Sequence, residues 1–242
     1  MDVGGEQKQF FVGFCVMIPI KTEKVIQIAH IETPFKTKFG VPRQAGLTEY
    51  EARVVFEPEF RVAEAVRGIE EFDYLWLIWQ FHLAERKEWS PTVRPPRLGG
   101  NKRVGVFATR SPFRPNPIGL SCVRLLRIEP GPVLVVQGAD LVDGTPVYDI
   151  KPYLPYADSH PDARGGFATA APSAALTVED PEGLLMTIPF NLRDALCQSL
   201  SQDPRPHYQD NPDRVYAMLF DKWEVHFRVD RSFVTITSVK KC

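Results

Sequence analysis

Three closely spaced prolines, Pro112, Pro115 and Pro117, prevent the centre of this chain from folding as a helix. Each proline fixes its φ at about −65° and has no backbone N–H to donate. The residue before each proline is pushed to an extended conformation. The stretch Gly105–Leu120 is therefore predicted to be a stiff, non-helical ribbon.

The ribbon carries several polar side chains on this rigid backbone. They belong to Thr109, Arg110, Ser111, Arg114 and Asn116. Forked donors on a preorganised backbone are what an anion or nucleotide site requires. The alternative is a proline-rich surface loop whose arginines are solvated.

Short segments rich in β-branched and aromatic residues recur through the first two thirds of the chain. They predict strands near Val25–Ile31, Ala52–Phe56, Phe72–His82, Ser121–Ile128 and Val133–Gln137, and another from Val104 through Phe107. A helix is predicted over Glu59–Gly68, because its apolar residues share one face and Gly68 can end it. Short strands without a βαβ rhythm predict a mainly β fold, a mainly antiparallel β-barrel.

Composition divides the chain into four parts. Residues 1–24 read as an N-terminal extension, 25–160 as the barrel domain, 161–175 as a linker rich in small residues, and 176–242 as a small appended α+β domain. In the last part we predict a helix near Phe190–Ser201 and strands near Val215–Phe220, Glu224–Asp230 and Phe233–Val239.

The net charge of −1 hides a strongly basic stretch. Between Arg86 and Arg127 there are ten basic residues and one acidic residue, a local charge of +9. Such asymmetry favours a nucleic acid or phosphate partner, although a solvated basic face is the alternative.

The four cysteines, at positions 15, 122, 197 and 242, form no CxxC pair. The spacing predicts neither a zinc site nor a disulfide framework and fits a reducing cytoplasm. The apolar run Phe10–Ile20 is too short to cross a bilayer and lacks the features of a signal peptide. We therefore expect no metal and no membrane partner.

Three polar loops are expected at strand ends: Pro42–Gln44, Thr109–Asn116 and Asp140–Asp143. The end of a barrel can gather such loops, which would then offer arginines, carboxylates and amides to one ligand. Asp140 and Asp143 are equally compatible with turn-forming roles. There is no GxSxG, HExxH, P-loop or GxGxxG motif, so common hydrolase and dinucleotide sites are not indicated.

Several long strings give the chain a resemblance to a known family. They are PRQAGL, AVRGIEEFDYLWLIWQFH, SPTVRPPRLGG, GVFATRSPFRPNPIGL and DLVDGTPVYDIKPYLPYAD, and then DPRPHY near the C-terminus. The chain resembles the bacterial tRNA (adenine-N6)-methyltransferases that act beside the anticodon. The resemblance runs from about Val25 to Asp158.

The resemblance implies a single-sheet antiparallel β-barrel that binds S-adenosylmethionine and forms a homodimer, with each cofactor site near the subunit interface. The implied substrate is N6-threonylcarbamoyladenosine, immediately 3′ of the anticodon in a threonine tRNA, whose N6 is methylated. The implied cofactor contacts are Pro42, Arg43, Gln44, His82, Leu83, Arg110, Leu120, Asp140, Leu141, Val142 and Asp143. Leu83 departs from the polar residue expected after the histidine.

On the basis of this resemblance, Asp140 or Asp143 is expected to bind the ribose or the sulfonium, or to accept a proton. Arg110 and Arg114 suit a carboxylate, and Asn116 is a further catalytic candidate. Substrate contacts are expected from Arg94, Arg97, Lys151, Tyr153 and Arg205, with the basic stretch holding the anticodon stem-loop. The C-terminal domain would extend that surface, serve the dimer, or cap the barrel.

Two other functions remain open from the sequence. The barrel could bind S-adenosylmethionine or RNA as a sensor without catalysis, or it could methylate a different substrate. Binding without product would favour the sensor, whereas the tRNA nucleoside spectrum would reveal another substrate.

Overall fold

The structure is a computed structural model that describes residues 24–84, 88–169, 176–205 and 211–242. Its first eight strands are β1 (Ala29–Glu32), β2 (Glu51–Phe56), β3 (Tyr74–Gln80), β4 (Thr92–Val93), β5 (Val104–Gly105), β6 (Ile118–Glu129), β7 (Val133–Gln137) and β8 (Thr145–Pro152). Six of them close into a barrel in the order β1-β2-β7-β6-β3-β8, and all six pairings are antiparallel. The predicted single-sheet antiparallel barrel is confirmed.

The remaining pair, β4 and β5, forms a separate two-stranded hairpin. In sequence this hairpin lies between β3 and β6. It therefore projects from the end of the barrel at which β3 finishes and β6 begins.

The barrel interior follows the two-residue alternation of its strands. Leu75, Leu77 and Trp79 on β3 are buried, and Gly119 and Ser121 on β6 face inward beside them. Gly119 is the register partner of Trp79, and a Cβ there would lie 2.3 Å from the indole ring. The tryptophan fills the space that a larger residue at 119 would need.

We expect Gly119→Ala to lower the free energy of unfolding by about 1–3 kcal/mol, the usual cost of extra volume in a packed core. Gly105→Ala is the matched control, because an added Cβ there meets nothing within 4 Å. Chemical denaturation measures both variants. Equal unfolding midpoints for the two would contradict the packing argument.

The predicted helix over Glu59–Gly68 is wrong. The segment instead forms three short 3-10 turns at Pro58–Phe60, Ala63–Val66 and Ile69–Glu71. The Arg61 guanidinium donates to the Phe56 carbonyl oxygen at 2.7 and 3.1 Å, and Val62 is extended. This tether to the end of β2 interrupts the helical path before one turn is complete.

Two predicted strands are shorter than expected. β1 begins at Ala29, although the backbone of Ile28 still bonds to Val147 and Glu57, and Val25 and Ile26 are 60% and 66% exposed. The strand predicted through Phe107 ends at Gly105, and Val106–Ala108 forms a 3-10 turn. Alternating apolar residues thus indicated strands where no neighbouring strand continued the ladder.

The C-terminal part contains a second sheet and one longer helix. After the short helix α1 (Pro155–Asp158) come β9 (Thr177–Glu179), α2 (Phe190–Ser201), β10 (Tyr216–Phe220), β11 (Trp223–Asp230) and β12 (Phe233–Lys241). The sheet order is β10-β11-β12-β9, with β9 parallel to β12. The predicted helix and three strands are confirmed, as is the appended α+β character.

Parts of two predicted segments lie outside the described residues. The N-terminal extension 1–24 is described only at Lys24. In the predicted linker 161–175, residues 161–169 are described and include a 3-10 turn at Gly166–Ala168, whereas 170–175 lie outside.

Candidate functional site

The antiparallel register carries the three polar loops to one end of the barrel. Glu51 at the start of β2 pairs with Gln137 at the end of β7. Likewise, Gln80 at the end of β3 pairs with Ile118 at the start of β6. The connections 33–50, 81–117 and 138–144 therefore emerge together, and we call this the site end.

Two of these connections touch through their backbones. The Gly46 N–H donates to the Gly138 carbonyl oxygen at 2.8 Å. Gly138 has a φ of 83°, and a Cβ there would lie 3.3 Å from the Gly46 Cα. Glycine meets both conditions without strain. The contact brings the loop Pro42–Gln44 next to Asp140.

Asp140 is the most perturbed carboxylate at the site end. Ser121 donates its hydroxyl to Asp140 Oδ1. The backbone N–H of Ala45 and the charge of Arg110 also favour the ionised form. Burial outweighs these effects and raises the pKa of Asp140 to about 6. A carboxylate of this kind changes its charge just below neutral pH.

Arg110 connects the proline-stiffened ribbon to the same place. Its Nη1 donates to Gln44 Oε1 at 2.6 Å, and its charge acts on Asp140. One residue from each of the three polar loops is thus gathered at the site end.

Asp143 is occupied by structural contacts. Its Oδ1 accepts from the Thr33 backbone N–H at 2.9 Å, and its Oδ2 lies 2.8 Å from Lys36 Nζ. Leu141 is buried, and its carbonyl oxygen accepts from the Thr33 hydroxyl at 3.2 Å. The Val142 carbonyl oxygen accepts from the Thr145 hydroxyl. This half of the loop fixes the backbone that presents Asp140.

The end of β3 lies beside the ribbon. The Phe81 N–H donates to the Pro117 carbonyl oxygen at 2.8 Å, which places His82 and Leu83 at the site end. The Leu83 carbonyl oxygen accepts from Lys38 Nζ at 3.0 Å, and its side chain is 45% exposed. Leu120 on β6 is 53% exposed.

The Arg43 side chain contacts the C-terminal domain. Its Nη2 donates to the Asp203 carbonyl oxygen at 3.0 Å, so the side chain bridges to the C-terminal domain. Arg205 makes a two-point ion pair with Asp203 at 2.9 and 3.0 Å, and its side chain is only 10% exposed. The Arg205 guanidinium is thus engaged within the C-terminal domain, and its expected RNA contact stays a prediction.

The C-terminal domain packs directly on the connection 33–50. The Phe35 and Phe220 rings meet edge to face with centroids 5.3 Å apart. Ser199 on α2 donates its hydroxyl to the Gly40 carbonyl oxygen. The domain thus supports the loop that carries Pro42 and Gln44, whatever else it binds.

Lys151 and Tyr153 lie at the other end of the barrel. Tyr153 N–H donates to the Tyr74 carbonyl oxygen at the start of β3, and its ring packs on Trp76 with centroids 5.9 Å apart. Lys151 pairs with Asp149 at 2.8 Å. Within one chain β8 carries both residues to the rim opposite Asp140, and their expected substrate contacts stay predictions.

Arg114 and Asn116 stay on the ribbon. Arg114 is half-buried, with Nη1 3.5 Å from the Thr109 carbonyl oxygen. Asn116 is exposed, and its carbonyl oxygen accepts from the Ile118 N–H at 2.7 Å. Both residues lie at the site end.

Comparisons with known proteins now identify the family. Residues 30–159 match the tRNA-methyltransferase O N-terminal domain, and residues 175–242 match the TrmO C-terminal domain. The chain belongs to the tRNA-methyltransferase O family. It is therefore an enzyme, a tRNA methyltransferase, as the resemblance implied.

Similar proteins of this family share most of the chain. The tRNA (adenine(37)-N6)-methyltransferase of Eikenella corrodens is 51% identical over 69% of this chain and 97% of its own. The Escherichia coli K12 protein of the same name is 45% identical, with 84% and 92% covered. A putative S-adenosylmethionine-dependent methyltransferase RcsF of Pseudomonas aeruginosa is 43% identical, with 87% and 94% covered.

A solved structure shows the same architecture. The crystal structure of Pseudomonas aeruginosa TrmO superposes with a TM-score of 0.76 at 35% identity. The superposition covers 93% of this chain and 99% of that one. Barrel and C-terminal domain therefore both belong to the tRNA-methyltransferase O fold.

In this member of the family, the β4–β5 hairpin presents an aromatic pair. The Trp89 and Phe107 rings lie 6.3 Å apart, and the two side chains are 53% and 73% exposed. Four basic residues lie between Trp89 and Phe107 in sequence, at Arg94, Arg97, Lys102 and Arg103. Trp89 was not among the residues predicted from the sequence, and Phe107 was predicted to lie in a strand. The signal in the sequence that could have indicated this pair was the presence of aromatic residues close to the basic side chains.

Two features were not found among the residues that the structure describes. These residues contain no helix long and apolar enough to cross a membrane. They also contain no cluster of three histidine, cysteine or acidic side chains that could hold a metal. Two surface depressions of about 470 and 640 Å³ border the 3-10 turns between Pro58 and Glu71, and their lining includes no predicted site residue.

Proposed function

We propose that this protein methylates N6 of N6-threonylcarbamoyladenosine at the position 3′ of the anticodon in a threonine tRNA. S-adenosylmethionine is the proposed methyl donor. The family, and the adenine(37)-N6 activity named for two similar proteins, support the reaction. The observation that carries the assignment to this site is the gathering of Gln44, Arg110 and Asp140 at one end of the barrel.

The donor set at the site end suits S-adenosylmethionine chemically. When bound, this cofactor supplies a methyl group made electrophilic by a sulfonium. The negative charge of Asp140 complements that of the sulfonium, and the Arg110 guanidinium matches the amino-acid carboxylate. The backbone of 140–143 and the side chain of Gln44 add hydrogen-bonding groups. The putative methyltransferase of Pseudomonas aeruginosa, S-adenosylmethionine-dependent by name, supports this cofactor.

The acceptor nitrogen requires help with its proton. The purine ring and the carbamoyl group both withdraw the lone pair of N6, so loss of the N–H proton must accompany methylation. Asp140 is the proposed acceptor, because its pKa of about 6 lets it be ionised at neutral pH yet still basic. Asp143 suits this role less well, since Thr33 and Lys36 hold its carboxylate.

The hairpin at the site end is the proposed contact for the anticodon loop. Unpaired RNA bases stack on aromatic side chains, and basic side chains beside the aromatic rings attract the RNA phosphates. Trp89 and Phe107 supply the rings, and Arg94, Arg97, Lys102 and Arg103 supply the charge.

We expect Trp89→Ala or Phe107→Ala to weaken tRNA binding about tenfold or more, the usual loss of one stacking contact. Lys102→Ala should instead reduce the slope of the logarithm of the binding constant against the logarithm of the salt concentration by about one, because it removes one phosphate contact. Phe190→Ala, which removes a 75% exposed ring of α2, is the control. Fluorescence anisotropy with an anticodon stem-loop measures all four. Unchanged affinity in both hairpin variants would remove the hairpin from the RNA site.

A homodimer is also proposed, as the resemblance implies, with the site end near the subunit interface. Exposed apolar side chains at this end support it, namely Leu83, Ile118 and Leu120. Static light scattering should give twice the mass of one chain. A cytoplasmic location is proposed with it, because the tRNA substrate and the unpaired cysteine spacing fit a reducing compartment.

The function is tested on defined tRNA. Purified enzyme, S-adenosylmethionine and threonine tRNA with or without threonylcarbamoyladenosine are incubated, and nucleosides are analysed by mass spectrometry. We expect a methylated product only from the modified tRNA. Calorimetric cofactor binding without product on any tRNA would favour a sensor, and product on another tRNA would correct the substrate.

A further inference from the structure

A chain of two hydrogen bonds runs from the barrel core to Asp140. Trp79 Nε1 donates to Ser121 Oγ at 2.9 Å, and Ser121 Oγ donates to Asp140 Oδ1. Trp79 is on β3, Ser121 is on β6, and Asp140 follows β7. Trp79 and Ser121 are 5% and 1% exposed, so water does not compete for these bonds.

The direction of this chain is fixed by its first member. An indole N–H can only donate, so the Ser121 oxygen accepts from Trp79. The single hydroxyl proton of Ser121 then points to Asp140. Because Oδ1 accepts that proton in either charge state, an added proton on Asp140 belongs on Oδ2.

The packing holds Trp79 in place. Its ring covers Gly119 so closely that a Cβ there would lie 2.3 Å from it. Its other neighbour is the Phe81 ring, with centroids 4.3 Å apart. The indole therefore cannot turn away from Ser121 without opening the core.

We propose that Trp79 and Ser121 are positioning residues that keep Asp140 Oδ1 occupied and leave Oδ2 as the atom that accepts the substrate proton. This inference rests on the proposed function. N6 forms its bond to the methyl carbon as the carbon–sulfur bond of the donor breaks, and that electron pair stays on the sulfur, which becomes neutral. The N6–H electron pair stays on N6 as the proton moves to Oδ2 of Asp140 and then to solvent. Neither positioning residue touches the substrate.

The pH dependence follows from the groups that face Asp140. Arg110 acts from the ribbon, Tyr50 from the segment before β2, Ser121 from β6, and the Ala45 N–H from the facing loop. The Ser121 bond lowers the pKa of Asp140, and burial raises it. Loss of the hydroxyl should raise this pKa further, so the acidic limb of activity should move to higher pH.

The coupling is first tested on the full chain without cofactor or tRNA. With ¹⁵N-labelled tryptophan, the four indole N–H signals are followed by NMR as the pH is varied. The Trp79 signal, assigned with Trp79→Phe, should shift with a midpoint near 6. It should stop shifting in Asp140→Asn and in Ser121→Ala, but not in Ser121→Thr. A Trp79 signal that still shifts with pH in Asp140→Asn would overturn the inference.

The second arm is the pH profile of methyl transfer. Ser121→Ala should lower kcat about tenfold at pH 7 and shift the acidic limb upward, with KM for tRNA unchanged, and Ser121→Thr should restore both. Trp76→Phe is the matched control, because Trp76 donates its indole N–H to Asp158 at 3.0 Å on the outer wall. A wild-type profile in Ser121→Ala would also refute the inference. Failure of the wild-type enzyme to methylate tRNA would refute the proposed function while leaving the NMR result intact.

Discussion

Asp140→Asn is expected to reduce kcat for methyl transfer by about 10²- to 10⁴-fold, the range supplied by general base catalysis. Asparagine can still accept the Ser121 hydrogen bond through Oδ1, but its amide nitrogen cannot take up a proton. The measurement is single-turnover methylation of modified threonine tRNA. Cofactor affinity, measured in parallel by calorimetry, separates a loss of chemistry from a loss of binding.

Stability provides the control for folding of this variant. Burial raises the pKa of Asp140 from its ordinary 3.8 to about 6, so the folded protein holds this proton more tightly than the unfolded chain does. Wild-type stability is therefore lost as the pH rises through this window. We expect Asp140→Asn to be more stable than wild type by on the order of 1–3 kcal/mol at pH 7, and equally stable below pH 4.

Asp158→Asn is the matched variant for both measurements. Asp158 also accepts a tryptophan N–H, but it lies on the outer wall and its backbone and indole donors lower its pKa. It should methylate tRNA at the wild-type rate. Full activity in Asp140→Asn would exclude Asp140 as the base.

Arg110→Ala is expected to weaken S-adenosylmethionine binding by about 100-fold, since charged hydrogen bonds contribute about 1.5–3 kcal/mol. Arg110→Lys should recover part of this loss, because a lysine keeps the charge but not the fork. The loss of Arg110 also removes a charge that lowers the pKa of Asp140, so the acidic limb should rise. Calorimetry and the pH profile measure the two effects.

Arg67→Ala controls for the loss of one arginine. Arg67 pairs with Glu64 on the 3-10 segment, and its side chain is 77% exposed. It should bind the cofactor as wild type does. Equal cofactor affinity in Arg110→Ala and Arg67→Ala would mean that the cofactor carboxylate is held elsewhere.

Much of the barrel could be predicted because its signals are local. The alternation of β2 and the hairpin of β6 and β7 are visible in segments of a few residues. The helix over Glu59–Gly68 failed because the side chain of Arg61 bonds back to Phe56, which no periodicity reveals. The strand predicted through Phe107 was wrong because β5 has only two residues and ends at Gly105.

The candidate site was predictable as three loops but not as a mechanism. From the sequence, Asp140 and Asp143 are two similar carboxylates in one turn. Thr33 and Lys36, more than a hundred residues away in sequence, occupy Asp143, whereas Ser121 and Arg110 surround Asp140. Ser121 itself could have been noticed as a polar residue at an inward position of a barrel strand.

The sequence by itself determined the family, the strand-rich architecture and the stiff ribbon, because prolines, side-chain alternation and long motifs act within short stretches of chain. Only the tertiary structure decided which carboxylate is buried, that Arg43 faces the C-terminal domain, and that Trp79 orients Ser121. Those properties depend on burial and on hydrogen bonds between distant segments. They come into existence only when the barrel closes.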